Sequence, residues 1–201
     1  MDFGQGVGGA IVLDGKLYAQ PLPLSGELGH SPVEGNRRRC GCGNIGCLET
    51  LVSQRGLLES SKSGVHSPDS TVHVPQSKDE WERLVGHVRE RGMEPWLQDT
   101  LNTTAKVIAG VLNVLGIARV IVTGCLNEFP DFVVKHLAEE LKKCSLWGQF
   151  GEVTCQSATH RRAAGLVAFG LDRLVLPAEH ESGATPRHGR EIFTFQSKLQ
   201  N

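Results

Sequence analysis

Residues 26–50 read GELGHSPVEGNRRRCGCGNIGCLET, and this stretch decides how the rest of the chain is read. Three of the six cysteines fall inside it as Cys40-x-Cys42-x4-Cys47, and His30 lies ten residues before the first. Thiolates and an imidazole at such spacing suit a tetrahedral zinc ion. A disulfide framework would spread its cysteines as loop staples, so clustering beside a histidine favours metal. Three sulfurs and one nitrogen make a closed, structural site; a catalytic zinc keeps an open position. Gly41 and Gly43 offer the backbone freedom that a tight Cys-x-Cys turn needs. Arg37, Arg38 and Arg39 bring positive charge that favours thiolate. Residues 31–47 show no apolar period and cannot build a core of their own. Metal closure would therefore order them, tying the strand end at His30 to the helix start at Cys47.

Upstream, Ala10-Ile11-Val12-Leu13 has the composition of a buried strand. Asp14-Gly15 is a two-residue hairpin signal, and Lys16-Leu17-Tyr18 begins the return strand. Downstream, residues 47–60 have near-helical spacing, weakened by Gly56. Residues 61–76 read as an exposed loop. Residues 79–92 form an amphipathic helix. Residues 96–116 form the longest helix, with Leu97, Leu101, Ala105, Ile108, Leu112 and Leu115 on one face and Gly116 as its stop. Arg119-Val120-Ile121-Val122-Thr123-Gly124 is a short β-branched run, the mark of a buried parallel strand. A helix over 130–143, a strand over 151–155 and an alanine- and glycine-rich helix over 160–174 follow. The order hairpin, helices, then βαβα predicts an α/β lobe with a mixed or parallel sheet. Residues 1–176 form that lobe, with the zinc loop at 30–47, and 177–201 form a polar, flexible tail.

The 201 residues suffice for one large domain or one lobe of a larger protein. The formal net charge of -1 gives no electrostatic case for nucleic acid or acidic lipid. No apolar run is long enough to span a bilayer and no signal peptide is visible, so a cytoplasmic location without membrane contact is expected. Trp81, Trp96 and Trp147 read as packing residues. His66, His73 and His87 read as surface histidines.

Gly26-Glu27-Leu28-Gly29-His30 followed by Cys40-Gly41-Cys42-Gly43-Asn44-Ile45-Gly46-Cys47-Leu48-Glu49-Thr50 resembles the signature of the ROK family (repressors, uncharacterised reading frames and sugar kinases). Asp2-Phe3-Gly4-Gln5-Gly6-Val7-Gly8-Gly9-Ala10 resembles the turn that opens the family's second lobe. Ala109 to Gly124 resembles its long helix and following strand, and Ala163-Ala164-Gly165-Leu166-Val167-Ala168 its last helix. The resemblance implies the C-terminal lobe of the actin-like (ribonuclease H-like) sugar kinase fold, with an inserted zinc loop. It implies that Glu27, His30 and Glu49 contact sugar hydroxyls. The chemistry suits them: a carboxylate accepts two hydroxyl hydrogen bonds, and His30 has one ring nitrogen for zinc and one for the sugar.

The family's kinases also carry an N-terminal Asp-x-Gly-x-Thr phosphate turn and an Asn-Asp pair whose aspartate is the general base. Neither is found in this sequence, so the chain is expected to correspond to the C-terminal lobe only, and no residue is assigned as catalytic. Phosphoryl transfer depends on positioning between two lobes. Gly6, Gly8, Gly9 and Gly124 are candidate phosphate contacts, because glycine turns let backbone N–H groups approach anions. Two departures weaken a nucleotide role: Gly4-Gln5-Gly6 stands for the kinases' Gly-Thr-Gly, and Gly124-Cys125 for their double glycine. These features are similar to the NagC-like and Mlc-like repressor branch. The expected function is a non-catalytic, sugar-sensing, zinc-stabilised lobe of a transcriptional regulator. It would bind a sugar or sugar phosphate and self-associate, most simply as a dimer. The repressors' DNA-reading motif is N-terminal and is not found in this chain. The alternative is the C-terminal lobe of a hexose or N-acylhexosamine kinase; ATP and Mg2+ enter only there.

Overall fold

The computed structural model describes residues 1–13, 16–18, 26–63 and 77–158, and every structural statement concerns these. The segment centred on Asp14-Gly15, most of the 61–76 loop, His66, His73, the 160–174 helix and the tail lie outside them.

The main sheet has four short strands. β1 (Asp2–Phe3) pairs antiparallel with β2 (Val7–Gly8) and parallel with β5 (Arg119–Gly124), which pairs parallel with β6 (Thr154–Ser157). The order is β2-β1-β5-β6, a mixed sheet. The β-branched run at 119–124 is thus a parallel strand as expected, but it is buried on one face only, with Ile121 49% exposed. Val120 and Val122 point into the core. β6 begins three residues later than the 151–155 expectation.

β3 (Val12–Leu13) and β4 (Lys16–Leu17) pair only with each other. Val12 is 59% and Leu13 43% exposed, so this apolar run is not the buried strand its composition suggests. An apolar tetrapeptide does not by itself say whether a second layer covers it.

Helices follow their capping signals. α1 (Glu49–Val52) and α2 (Gln54–Ser63) are separated by Ser53, so the 47–60 pattern is two helices and not one. Ser53 Oγ accepts from Gly56 N at 3.1 Å and caps the second. A Cβ on Gly56 would lie 2.6 Å from the Leu51 carbonyl carbon, so glycine permits the crossing. α3 (Lys78–Arg91) is capped by Ser77 Oγ, which accepts from Glu80 N at 3.1 Å, and stops at Gly92 with φ +80°. α4 (Pro95–Leu115) opens on Pro95 and ends at left-handed Gly116. α5 (Asp131–Cys144) leads to α6 (Leu146–Phe150), a short helix the periodicity misses.

Leu97, Leu101, Ala105, Ile108 and Leu112 of α4 lie in the same core as Phe3, Val122, Leu126 and Leu137. Each fully buried leucine here contributes about 1.5–3 kcal/mol. Trp81 is buried, packs edge-on against Phe129 with centroids 5.3 Å apart, and donates Nε1–H to Glu128 Oε2 at 2.7 Å. Trp147 is 46% exposed, unlike the packing residue expected.

Candidate functional site

The site is built on the loop that the cysteines organise. Leu28–His30 form a 3-10 turn against β2. Gly29 is buried there, and a Cβ on it would collide with the Val7 carbonyl oxygen. The loop then folds back on itself. Pro32 bridges Cys47 and Arg39 bridges Ile45, with Cys40 N donating to Asn44 O at 2.8 Å. Gly43 at φ +94° and Gly46 at φ +87° take the left-handed turns. Gly35, at φ +77°, makes an earlier turn of the same kind, while Gly41 needs no unusual φ.

His30, Cys40, Cys42 and Cys47 converge, with one ligand atom from each lying within 4.8 Å of all the others. Cys42 Sγ is 3.7 Å from Cys47 Sγ, and Cys40 Sγ is 3.5 Å from His30 Nδ1. With zinc–sulfur bonds of about 2.3 Å, a tetrahedron has edges near ~3.8 Å. The four residues can hold a metal ion, and these two edges fit zinc.

The thiols are poised unequally. Burial pushes the Cys47 thiol up to about 12, helped by its sulfur neighbours. Burial also raises Cys40. Exposed Cys42 is lowered, chiefly by a hydrogen bond from the Asn44 backbone. The two raised thiols, Cys40 and Cys47, favour their protonated forms without a cation, and a metal ion displaces those protons.

Two of the three expected arginines stay on the surface. Arg38 instead turns inward, with only 4% exposure. Its Nη1 donates to Thr50 O at 2.8 Å, Ser60 Oγ at 3.0 Å and Gly56 O at 3.3 Å. Buried Asn36 donates to Cys47 O at 3.1 Å and Thr50 Oγ1 at 2.9 Å, and accepts from Arg38 N. These two residues join the metal loop to α1 and α2. Nothing in the run Arg37-Arg38-Arg39 says which arginine goes inside.

The three expected sugar contacts surround this cluster. His30 turns Nδ1 to the sulfurs and Nε2 towards Glu27 Oε2, 3.6 Å away. That separation is too long for a hydrogen bond and leaves both groups able to meet one hydroxyl. Glu49, at the start of α1, has Oε1 3.8 Å from Cys40 Sγ. Its Oε2 accepts the Val7 N–H at 2.9 Å, a contact the sequence does not announce. Glu49 also lines a cavity of about 150 Å³ with Gln5, Arg39 and Arg55.

Of the candidate phosphate glycines, Gly6 and Gly124 come to one end of the sheet, since Phe3 pairs with Val7 on one side and Gly124 on the other; Gly8 pairs with Asp2, and Gly9 lies beside Met1. The carboxyl ends of parallel strands are where open α/β sheets take ligands. A Cβ on Gly124, at φ +88°, would collide with the Phe3 carbonyl oxygen. Cys125 does not project into the turn: it is buried in the core, where burial raises its thiol to about 12.

A mixed sheet with helices bears a loop whose one histidine and three cysteines could hold a metal ion, flanked by carboxylates, and this combination defines an α/β protein with a candidate metal centre. The chain belongs to the ROK family, whose model matches residues 1–171. It is 25% identical over 166 residues to an N-acetylmannosamine kinase of Salmonella typhi, covering 83% of this chain and 53% of that protein. It is 29% identical over 156 residues to the xylose repressor of Caldicellulosiruptor bescii, covering 75% of this chain and 39% of the repressor. A solved ROK transcriptional regulator, a homologue of E. coli MLC, superposes with a TM-score of 0.61 at 22% identity, over 81% of this chain and 42% of that one. Solved ROK kinases and regulators alike share this actin-like fold. The chain spans about half the length or less of these curated relatives. Among the described residues no helix is long and apolar enough to cross a membrane.

Proposed function

We propose that this chain is the zinc-stabilised, sugar-binding lobe of a NagC-like ROK regulator and that the lobe itself catalyses nothing. The observation that carries the reading is the convergence of Glu27, His30 and Glu49 on one metal-binding cluster. Zinc would be held by His30, Cys40, Cys42 and Cys47, and when bound it supplies a cross-link. His30 then has its orientation set by the metal and offers Nε2 to a sugar hydroxyl, while Glu27 and Glu49 accept hydrogen bonds from hydroxyls. Fixed acceptors of this kind select sugars. Names of relatives put N-acetylmannosamine and xylose beside glucose, N-acetylglucosamine and their 6-phosphates as ligands to try. Sugar binding would shift the population of lobe arrangements in a cytoplasmic homodimer and so change DNA affinity elsewhere in the protein.

The likeness to N-acetylmannosamine kinases supports a second reading. In it this is a kinase's C-terminal lobe, with Gly6, Gly8, Gly9 and Gly124 facing the phosphates of MgATP and the general base supplied by another lobe. Calorimetric titration of the zinc-loaded chain with these sugars and with MgATP separates the two. The regulator reading expects sugar binding that is lost in Glu49→Ala, and no heat with MgATP. Tight MgATP binding would overturn it in favour of the kinase, and zinc without either ligand would leave a structural fragment.

A further inference from the structure

The turn between β1 and β2 has the glycine content of an anion cradle, yet its geometry is directed at Glu49. Val7 N–H, the amide that opens β2, donates to Glu49 Oε2 at 2.9 Å. A Cβ added to Gly6 would stand 2.9 Å from that same oxygen and 3.7 Å from the carboxyl carbon, with no backbone atom near it. The turn is also bound to the helix pair behind Glu49. Gln54 N donates to Gly4 O at 2.8 Å, and Gln5 Nε2 donates to Gln54 Oε1 at 2.6 Å. Glu49 begins α1, so its backbone is fixed, but its side chain has three rotatable bonds. At the far end the Val7 amide holds Oε2, while Oε1 lies 3.8 Å from Cys40 Sγ, a longer and weaker contact.

We infer that Gly6 and Val7 are positioning residues for the sugar: the turn holds one oxygen of Glu49 so that the other faces a hydroxyl. The inference rests on Glu49 being a sugar contact and assigns the turn to that same site. Two consequences follow from charge and hydrogen-bond accounting. The Val7 amide is spent on a carboxylate, so a phosphate at Gly6 would need to displace Glu49 and would meet its negative charge. A sugar that pulls on Glu49 would be felt at the Val7 amide, which makes the turn a reporter of sugar occupancy.

Because the added methyl of Gly6→Ala meets only the end of a flexible side chain, that variant should fold and still bind zinc, with Glu49 displaced. Gln5→Ala disturbs the same turn without adding bulk towards Glu49. Each would be titrated with glucose, N-acetylglucosamine, N-acetylmannosamine and xylose, alongside zinc analysis and the Val7 amide resonance in a 15N-labelled sample. Losing one ordered, charged acceptor should weaken binding about tenfold or more in Gly6→Ala. Zinc content should stay as in the parent, and Gln5→Ala, which loosens the turn without displacing Glu49, should fall between the parent and Gly6→Ala. In the parent the Val7 amide should move on sugar addition, and Glu49→Ala should move it without sugar. Equal affinity in Gly6→Ala and the parent would overturn the inference, as would equal losses in Gly6→Ala and Gln5→Ala. A Val7 amide indifferent to both sugar and Glu49→Ala would do so even if Gly6→Ala failed to fold. If no sugar binds the parent chain, the sugar reading itself fails. A Val7 amide that still responds to Glu49→Ala would then show the contact to be real but without that role.

Discussion

Arg38→Ala tests whether the metal loop is fastened to its helices by a buried cation. The guanidinium makes three hydrogen bonds through one nitrogen, at 2.8, 3.0 and 3.3 Å. Removing it leaves the Thr50 and Gly56 carbonyls without this donor. Ser60 keeps a 3.4 Å bond to Leu51 O. Hydrogen bonds to a charged group contribute about 1.5–3 kcal/mol each, and the long one least. Part of the sum is offset because the buried guanidinium no longer needs desolvation. A net loss of about 3 kcal/mol results, and for a protein of this size that lowers the melting midpoint by about 6–12 °C. The assay is thermal melting of zinc-loaded protein followed by circular dichroism, with Arg39→Ala as the exposed neighbour. Arg39→Ala should stay within about 0.5 kcal/mol of the parent. Arg38→Lys keeps the charge and has three N–H donors, but its ammonium is more strongly hydrated and its shorter stem does not reach the Nη1 position, so it should fall between. Equal midpoints for Arg38→Ala and Arg39→Ala would refute the strut and leave the charge run as surface.

Other perturbations probe the metal and the helix crossing. Cys47→Ser removes a buried ligand, and metal analysis should find zinc retention reduced by at least about a hundredfold in affinity. With Cys47 pushed up to about 12 and Cys40 also raised, these two thiols hold their protons in the metal-free chain at neutral pH. Zinc uptake should therefore release about two to three protons per ion, seen as buffer-dependent heat, and affinity should fall as pH falls. An affinity unchanged between about pH 6 and about pH 8 would contradict ligation by these thiols. Gly56→Ala drives a methyl into the Thr50 and Leu51 backbone, with contacts of 2.6–2.8 Å, and should cost at least about 2 kcal/mol in chemical denaturation.

Much of this lobe is legible from local pattern. Pro95 and Gly116 bracket α4 as capping chemistry requires, and the β-branched run at 119–124 is the parallel strand it resembles. The metal set was legible because thiolate and imidazole spacing is rarely accidental. What escaped depends on tertiary contact. Val12 and Leu13 look like interior residues and lie outside, because β3 and β4 find no partner in the main sheet. Arg38 looks like a surface residue and lies inside, because the Thr50 carbonyl, freed where α1 breaks into α2 and Gln54 N turns to Gly4 O, needs a donor. The Val7–Glu49 bond joins residues 42 positions apart, and no periodicity reports such a pairing.

Glycines show best how one residue type serves different physical ends in the same motif. Gly26, Gly29 and Gly124 are imposed by backbone: a Cβ on them would enter the carbonyl oxygens of Gly9, Val7 and Phe3, respectively. These close approaches bring the β1–β2 hairpin against the metal loop on one side and β5 on the other. Gly9 faces chiefly the flexible ends of Leu28, at 2.7 Å, and Met1, at 3.2 Å, while Gly6 faces only the end of Glu49. Packing therefore accounts for most of a glycine pattern that in sequence suggests a phosphate cradle. Gly8 is the exception, with open space where its Cβ would stand and no positive φ. An anion-binding role at this turn has to be argued from Gly8 and the amides beyond Val7, because close packing already explains Gly124 and Glu49 already occupies the space at Gly6.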